Sequence, residues 1–291
     1  MKRILVTGAG GFLAGPLLER LKGRARVIAP SRAACDLTDA RAARALISRA
    51  RPDLVYHLAG VTRAPDWSGL WRPHVTATVN LLAALAESGR RVRVVVAASS
   101  AEYGAAGGAR RVRENAALDP VTVYGSCKLA QTLAALSFSR GPLEVAVARI
   151  FNVLGPGTPE NLAPGAFARQ IARVAARLQS PEILVGDLSP RRDYVDVRDV
   201  AAALEAIARR GAAGECYNVG SGRSTPMRDI LRGLAAAAGV DARETVDPAR
   251  RRPSEVKDLA ADLRKISALG WKPRVTLKRS LADTLAWWSS R

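Results

Sequence analysis

The stretch that most restricts the fold lies at the start of the chain. Residues 3–7, Arg3-Ile4-Leu5-Val6-Thr7, have the composition of a buried parallel strand. They lead into Gly8-Ala9-Gly10-Gly11-Phe12-Leu13-Ala14-Gly15, and an apolar-periodic helix is expected from Pro16 to Leu21. In the spacing Gly8-x-x-Gly11-x-x-Ala14, glycine permits the tight turn and lets the backbone approach a pyrophosphate, and the small third residue lets the helix pack on the strand. The helix N-terminus then faces the phosphates. Gly8, Gly11, Phe12 and Leu13 are therefore candidate dinucleotide contacts. A glycine-rich loop with no ligand has no need for strand, turn and helix in this order.

The strand–helix alternation continues. Arg26-Val27-Ile28-Ala29 reads as a second strand ending at Pro30-Ser31-Arg32. An NAD-selecting site usually places an acid at this strand end, to bind the ribose 2′-hydroxyl. Ser31 and Arg32 stand here instead and suit a 2′-phosphate, so NADP(H) is favoured, with NAD(H) as the alternative. Cys35-Asp36-Leu37-Thr38-Asp39 follows. Asp36 and Leu37 are candidates for the adenine edge, and Asp39 for the cap of a helix over Ala40–Ala50. Asp53-Leu54-Val55-Tyr56-His57-Leu58-Ala59-Gly60 reads as the third strand, with Leu58, Ala59 and Gly60 small or apolar enough to pass close to a cofactor ribose. His57 reads as structural. A helix around Val75–Glu87, a fourth strand Val92–Ala98 and a fifth strand Leu143–Ala148 complete an α/β doubly wound parallel sheet.

The fourth strand runs into Ser99-Ser100-Ala101-Glu102-Tyr103-Gly104. Ligands of open α/β sheets bind at the carboxyl ends of strands, so Ser99 and Ser100 sit where chemistry is expected. Tyr124 and Lys128, four residues apart, share one helix face. An ammonium close to a phenol favours the phenolate and lowers its pKa, which makes Tyr124 a candidate proton donor and acceptor.

Composition narrows the class. With 291 residues the chain can bury an ample core, and 48% hydrophobic residues exclude a disordered chain. The N-terminus lacks the apolar core of a signal peptide, and no apolar run approaches membrane-spanning length. Cys35, Cys127 and Cys216 are scattered and odd in number, which argues against a disulfide framework. A cytoplasmic protein without a membrane or metal partner is expected. The net charge of +19, from 45 basic and 26 acidic residues, raises nucleic acid as a partner. The arginines are spread along the chain, however, without an aromatic platform or a helix-turn-helix pattern, so a field for anionic small molecules is the favoured reading.

Taken together, Gly8-x-x-Gly11-x-x-Ala14, Asp36-Leu37, His57-Leu58-Ala59-Gly60, Ser99-Ser100 and Tyr124-x-x-x-Lys128 resemble the extended short-chain dehydrogenase/reductases, which act on nucleotide-activated sugars. Residues 149–157, Arg149-Ile150-Phe151-Asn152-Val153-Leu154-Gly155-Pro156-Gly157, resemble that family's Arg-x-Phe-Asn-x-x-Gly-Pro segment, and residues 191–199 and 217–222 resemble two others. Asp247–Val256 is similar to the substrate loop of the family's GDP-mannose dehydratases and GDP-4-keto-6-deoxymannose reductases. The resemblance implies Ser99, Tyr124 and Lys128 as catalytic residues and Lys128 as a holder of the nicotinamide ribose. It implies Ser100, Asn152, Arg192, Arg252 and Glu255 as substrate contacts. It also implies residues 1–150 as a dinucleotide-binding region, residues 151–291 as mainly a nucleotide-sugar region with segments returning to the first sheet, and a homodimer.

A 4,6-dehydratase of this family uses acidic side chains just after the catalytic serine or threonine. Ser100 and Ala101 hold those places, and Glu102 comes one residue late, so dehydration is disfavoured. A 3,5-epimerase/reductase would need a cysteine in this loop, and Cys127 points away from the Tyr124–Lys128 face. A 4-keto reductase or a 4-epimerase remains, with NADP-dependent reduction of a GDP-linked 4-keto-6-deoxyhexose expected. A non-catalytic nucleotide- or polyanion-binding member of the fold is the reading from another class.

Overall fold

The computed structural model describes residues 2–105, 111–250 and 256–291. β1 (Arg3–Thr7) passes through the glycine turn into α1 (Ala14–Leu21), which begins two residues before the expected Pro16. β2 (Arg26–Ile28), α2 (Ala40–Ala50) and β3 (Leu54–His57) follow. α2 has the expected bounds, and Asp39 caps it by accepting from the Arg41 and Ala42 amides.

The next helix is longer and less regular than the apolar pattern implies. α3 (Trp67–Trp71) runs through a π-helical turn, Arg72–Thr76, into α4 (Ala77–Glu87). Pro73 lacks the N–H that would close an α-helical bond, so the turn widens there. β4 (Val92–Ser99) then carries Ser99 as its last residue, and a 3₁₀ turn, Ser100–Glu102, follows it. α5 (Val123–Ser137) starts at a Thr122 cap whose hydroxyl accepts from the Gly125 amide.

β5 (Leu143–Ile150) is followed by β6 (Asn152–Leu154), α6 (Ala163–Ala175), β7 (Glu182–Val185), β8 (Arg191–Asp196) and α7 (Val197–Arg210). β9 (Cys216–Val219) returns to the first sheet, whose strand order is β2-β1-β3-β4-β5-β9 with parallel pairing at each step. The chain reverses direction across this sheet between β1 and β3, where Thr7 lies opposite His57. That switch point leaves a crevice at the strand carboxyl ends.

β10 (Ser224–Pro226), α8 (Met227–Ala238), β11 (Arg243–Val246), β12 (Asp258–Leu259), α9 (Arg264–Ser267) and α10 (Leu277–Ser289) finish the chain. β10, β8 and β12 form a small sheet joined by β6, and β11 pairs with β7. Two apolar clusters cover the faces of the large sheet, under α1 and α7 on one side and under α2 and α4 on the other. A third joins α6, α8 and α10. Two buried carboxylates lock the second half. Asp193 accepts from the Ser221, Gly222 and Ala261 amides. Asp199 accepts from those of Arg274 and Val275. No helix is long and apolar enough to cross a membrane among the described residues.

Candidate active site

The glycine turn is built to bring backbone close to a ligand. Gly8 has φ +71°, and a Cβ there would stand 2.7 Å from the Ala59 nitrogen, so the turn can rest on the end of β3 only without a side chain. The Gly11 amide donates to the Gly8 carbonyl at 2.9 Å, and that of Ala14 to Gly11 at 3.1 Å. No side chain caps α1, so its first-turn amides are left to meet an anion. These features fit a dinucleotide diphosphate.

One cavity of about 940 Å³ extends from this turn across the ends of β3, β4 and β5 and under the second half of the chain. Of the sequence-derived candidates, Gly8, Gly11, Phe12, Leu13, Leu58, Gly60, Ser99, Ser100, Tyr124, Lys128, Asn152 and Arg192 border it. Ala59 lies beneath Gly8, and its amide donates to Thr7 Oγ1 at 3.4 Å.

The residues after β2 stand apart from this cavity. Ser31, Arg32, Asp36 and Leu37 do not border the cavity. Ser31 Oγ accepts from the Ala34 amide and Asp36 from that of Thr38, so both side chains serve local turns. Leu37 is buried in the core, and its carbonyl accepts from Asn80 Nδ2 at 2.9 Å. Arg32 is exposed, with Asp36 near enough to feel its charge. Arg252 and Glu255 lie outside the described residues.

Ser99, Tyr124 and Lys128 meet at the end of β4. Burial raises the Tyr124 phenol above its ordinary pKa, and a hydrogen bond with Ser99 works against that rise. The net direction is upward, where the Tyr124–Lys128 spacing alone suggests a lowered phenol. The Lys128 ammonium instead donates to the Ala97 carbonyl at 2.6 Å and to Gln131 Oε1 at 2.7 Å. It is 5% exposed, and burial draws its pKa down to about 8, with the Glu102 carboxylate opposing.

Glu102, one residue late for an acid of the dehydratase kind, is turned away from the cavity. The 3₁₀ turn carries it inward, where it is fully buried and bonded to Arg149 Nε at 2.8 Å and Thr132 Oγ1 at 2.9 Å. It also accepts from the Ser99 amide, while Ser99 Oγ accepts from the Ala101 amide, a reciprocal capping box. Arg149 further donates to the Glu114 carbonyl, and Tyr103 to Asn218 Oδ1 at 2.7 Å. Arg149 and Asn218, both in the family-like segments, thus frame the site from inside.

Across the cavity, Asn152 Nδ2 donates to the Asp193 carbonyl at 3.3 Å. Arg192 is drawn below its ordinary pKa by burial. Thr62 and Asn161, hydrogen-bonded at 3.0 Å, join the loop after β3 to the loop before α6. The sequence reading passed over Arg63 and His74, which also border the cavity. Arg63 comes three residues after Gly60, the one signal available in sequence. His74 borders the cavity from the π-helical turn, which an α-helical pattern does not reveal. No aspartate or glutamate borders the cavity among the described residues.

The comparisons agree with this geometry. Residues 4–220 match the model of the NAD dependent epimerase/dehydratase family. The chain is 35% identical over 247 residues to a GDP-6-deoxy-D-mannose reductase of Pseudomonas aeruginosa, covering 82% of this chain and 81% of the relative. A structure of RMD from Pseudomonas aeruginosa complexed with NADPH superposes with a TM-score of 0.91 at 31% identity, covering 100% of this chain and 99% of that one. A Thermus thermophilus UDP-glucose 4-epimerase in complex with NAD superposes at 0.86 with 25% identity and 98% coverage of both chains. A glycine turn fit for a dinucleotide diphosphate, with a serine, a tyrosine and a lysine across the same cavity, carries the same conclusion: the chain belongs to the NAD dependent epimerase/dehydratase family of extended short-chain dehydrogenase/reductases and is an NAD(P)-dependent oxidoreductase-type enzyme.

Proposed function

We propose that the enzyme reduces the 4-keto group of a nucleotide-activated 6-deoxyhexose, GDP-linked by preference, with NADPH as the reductant. The observation that carries this reading is the convergence of Ser99, Tyr124 and Lys128 on one cavity that holds the glycine turn and no described carboxylate. Removal of water across a sugar C5–C6 bond needs an acid and a base beyond the tyrosine. The nearest acid, Glu102, is spent on Arg149 and Thr132. A carbonyl reduction needs neither.

The bound dinucleotide supplies hydride. The Ser99 and Tyr124 hydroxyls share a hydrogen bond, and a carbonyl oxygen seated between them at the end of β4 replaces that bond and accepts a hydrogen bond from each. As charge develops on that oxygen, the Ser99 bond strengthens and Tyr124 delivers its proton. Lys128 spends two N–H groups on protein acceptors and keeps a third for a ribose hydroxyl at the cavity wall. Arg63 and Arg192 add positive charge to the cavity lining, suited to a diphosphate.

The test mixes purified enzyme with NADPH and freshly made GDP-4-keto-6-deoxymannose and follows the NADPH absorbance. Stoichiometric loss with a GDP-6-deoxyhexose product is expected, and NADH should serve less well. The three catalytic groups and the likeness to an NAD-bound 4-epimerase also support a second reading, a nucleotide-sugar 4-epimerase. That enzyme would consume no NADPH and would retain NAD as purified.

The working form is a homodimer in the cytoplasm. Support for the dimer comes from exposed apolar residues on α3, α4 and α5: Trp67 and Trp71, stacked at 5.8 Å, with Val79, Val123 and Leu133. The high positive charge serves anionic substrates and not nucleic acid, so no retardation of duplex DNA at physiological salt is expected.

A further inference from the structure

Beneath the cavity wall runs a closed chain of buried polar groups. Thr78, 0% exposed, donates its one hydroxyl proton to the His74 carbonyl. Its oxygen must then accept from Gln131 Nε2 at 2.9 Å and from His57 Nε2 at 2.8 Å. That sets the His57 tautomer: Nε2 carries the proton and Nδ1 accepts from the Thr7 hydroxyl at 2.7 Å. The Thr7 oxygen in turn accepts from the Ala59 amide. At the other end Gln131, 0% exposed, turns its carbonyl oxygen to the Lys128 ammonium. Each direction of donation follows from the one before, so the chain has a single arrangement. It spans β1, β3, α4 and α5, and Thr7 immediately precedes the Gly8 turn.

We propose that Gln131 is a positioning residue that sets the place and charge of the Lys128 ammonium and, through Thr78, His57 and Thr7, holds it in register with the dinucleotide turn. This rests on the assignment of Lys128 to the reaction. Gln131 lies three residues beyond Lys128, on the same helix face, and touches the lysine through an acceptor that favours its charged form. The other titratable groups facing Lys128 are Glu102 at the end of β4, Tyr124 on the same helix, His57 on β3 and His74 on the π-helical turn. Burial keeps both histidines neutral, Glu102 is tied to Arg149 and Thr132, and Gln131 is the neutral side chain in direct contact with the ammonium.

The test compares the alkaline limb of kcat/KM in wild type, Gln131→Leu and Gln131→Glu. Loss of the acceptor should move the limb to lower pH by about one unit, and a carboxylate there should move it to higher pH. Gln131→Leu should also lower kcat and raise the KM for NADPH, and Gln131→Glu should restore kcat near neutral pH. A merely structural role would lower the melting temperature of both variants and leave the limb in place, which would overturn the proposal. If Gln131→Leu does not fold, Gln131→Glu against wild type carries the test alone. Lys128→Met separates the two levels. Full activity in that variant removes the assignment of Lys128. An inactive Lys128→Met together with unmoved limbs at position 131 removes only the proposal for Gln131.

Discussion

At the scale of single residues, burial outweighs the pairing that sequence spacing implies. Tyr124 and Lys128 share a helix face, yet the lysine is drawn to Ala97 and Gln131, and the phenol stands above its ordinary pKa. Tyr124 is therefore protonated near neutral pH, the form a reductase needs in order to deliver a proton. Replacing Tyr124 with phenylalanine should lower kcat by about 10²–10⁴-fold, the usual worth of positioned proton transfer, in the NADPH-coupled assay. Lys128 gives the pH dependence. Its ammonium is held below about pH 8 and lost as the pH rises through that value, so kcat/KM should fall on the alkaline side of about 8. A profile flat to about pH 10 would contradict a charged Lys128 in the rate-determining complex.

Elements decide which acids can act. A single 3₁₀ turn after β4 turns Glu102 away from the cavity and into contact with Arg149 on β5. The pair is buried on both sides, and removing one partner leaves the other charge uncompensated. Glu102→Ala should cost about 3–5 kcal/mol of unfolding free energy, measured by urea titration. Deletion of a solvated surface acid would cost little, so a change under about 1 kcal/mol would show that the pair is not formed. On the opposite face, α4 and α5 carry apolar residues beyond what the sheet covers. If the proposed homodimer forms through this surface, Leu133→Glu combined with Val79→Glu should give a monomer by sedimentation velocity, with NADPH binding retained. A wild-type chain that already sediments as a monomer would remove the dimer. The same elements show why some of the site was hidden in sequence. His74 lines the cavity from a π-helical turn that contains Pro73, and its ring lies so close to Gly60 that a Cβ there would sit 2.5 Å from Cε1.

Across the whole molecule, the two halves share the work. The first sheet supplies the glycine turn and the Ser99, Tyr124 and Lys128 cluster, and the second half closes over them with Asn152, Asn161 and Arg192. The buried histidines make global stability depend on pH. Burial lowers His57 to about 3 and His74 to about 4, whereas the unfolded chain titrates them near 6.5. Below about pH 6.5 the unfolded state therefore binds protons that the native state refuses, and stability falls as the pH drops toward 4. Above that window both histidines are neutral in either state and contribute no slope. Thermal or urea midpoints should fall between about pH 6.5 and 4, and more shallowly in a His57→Gln variant. Equal slopes in the two proteins would show that His57 is not buried neutral.

What the sequence alone determined is local. A strand, a glycine turn and a helix follow one another within some twenty residues, and their chemistry depends on residue type and spacing, so Gly8, Gly11, Asp39 and the Tyr124–Lys128 face could be read directly. The serine at the end of β4 was legible for the same reason. Tertiary structure decided what depends on burial and on contacts between distant segments. It set the raised Tyr124 phenol, the capture of Glu102 by Arg149, and the chain from Lys128 through Gln131 and His57 to Thr7. Desolvation and hydrogen-bond direction are properties of the packed molecule, and no window of sequence contains all the partners that fix them.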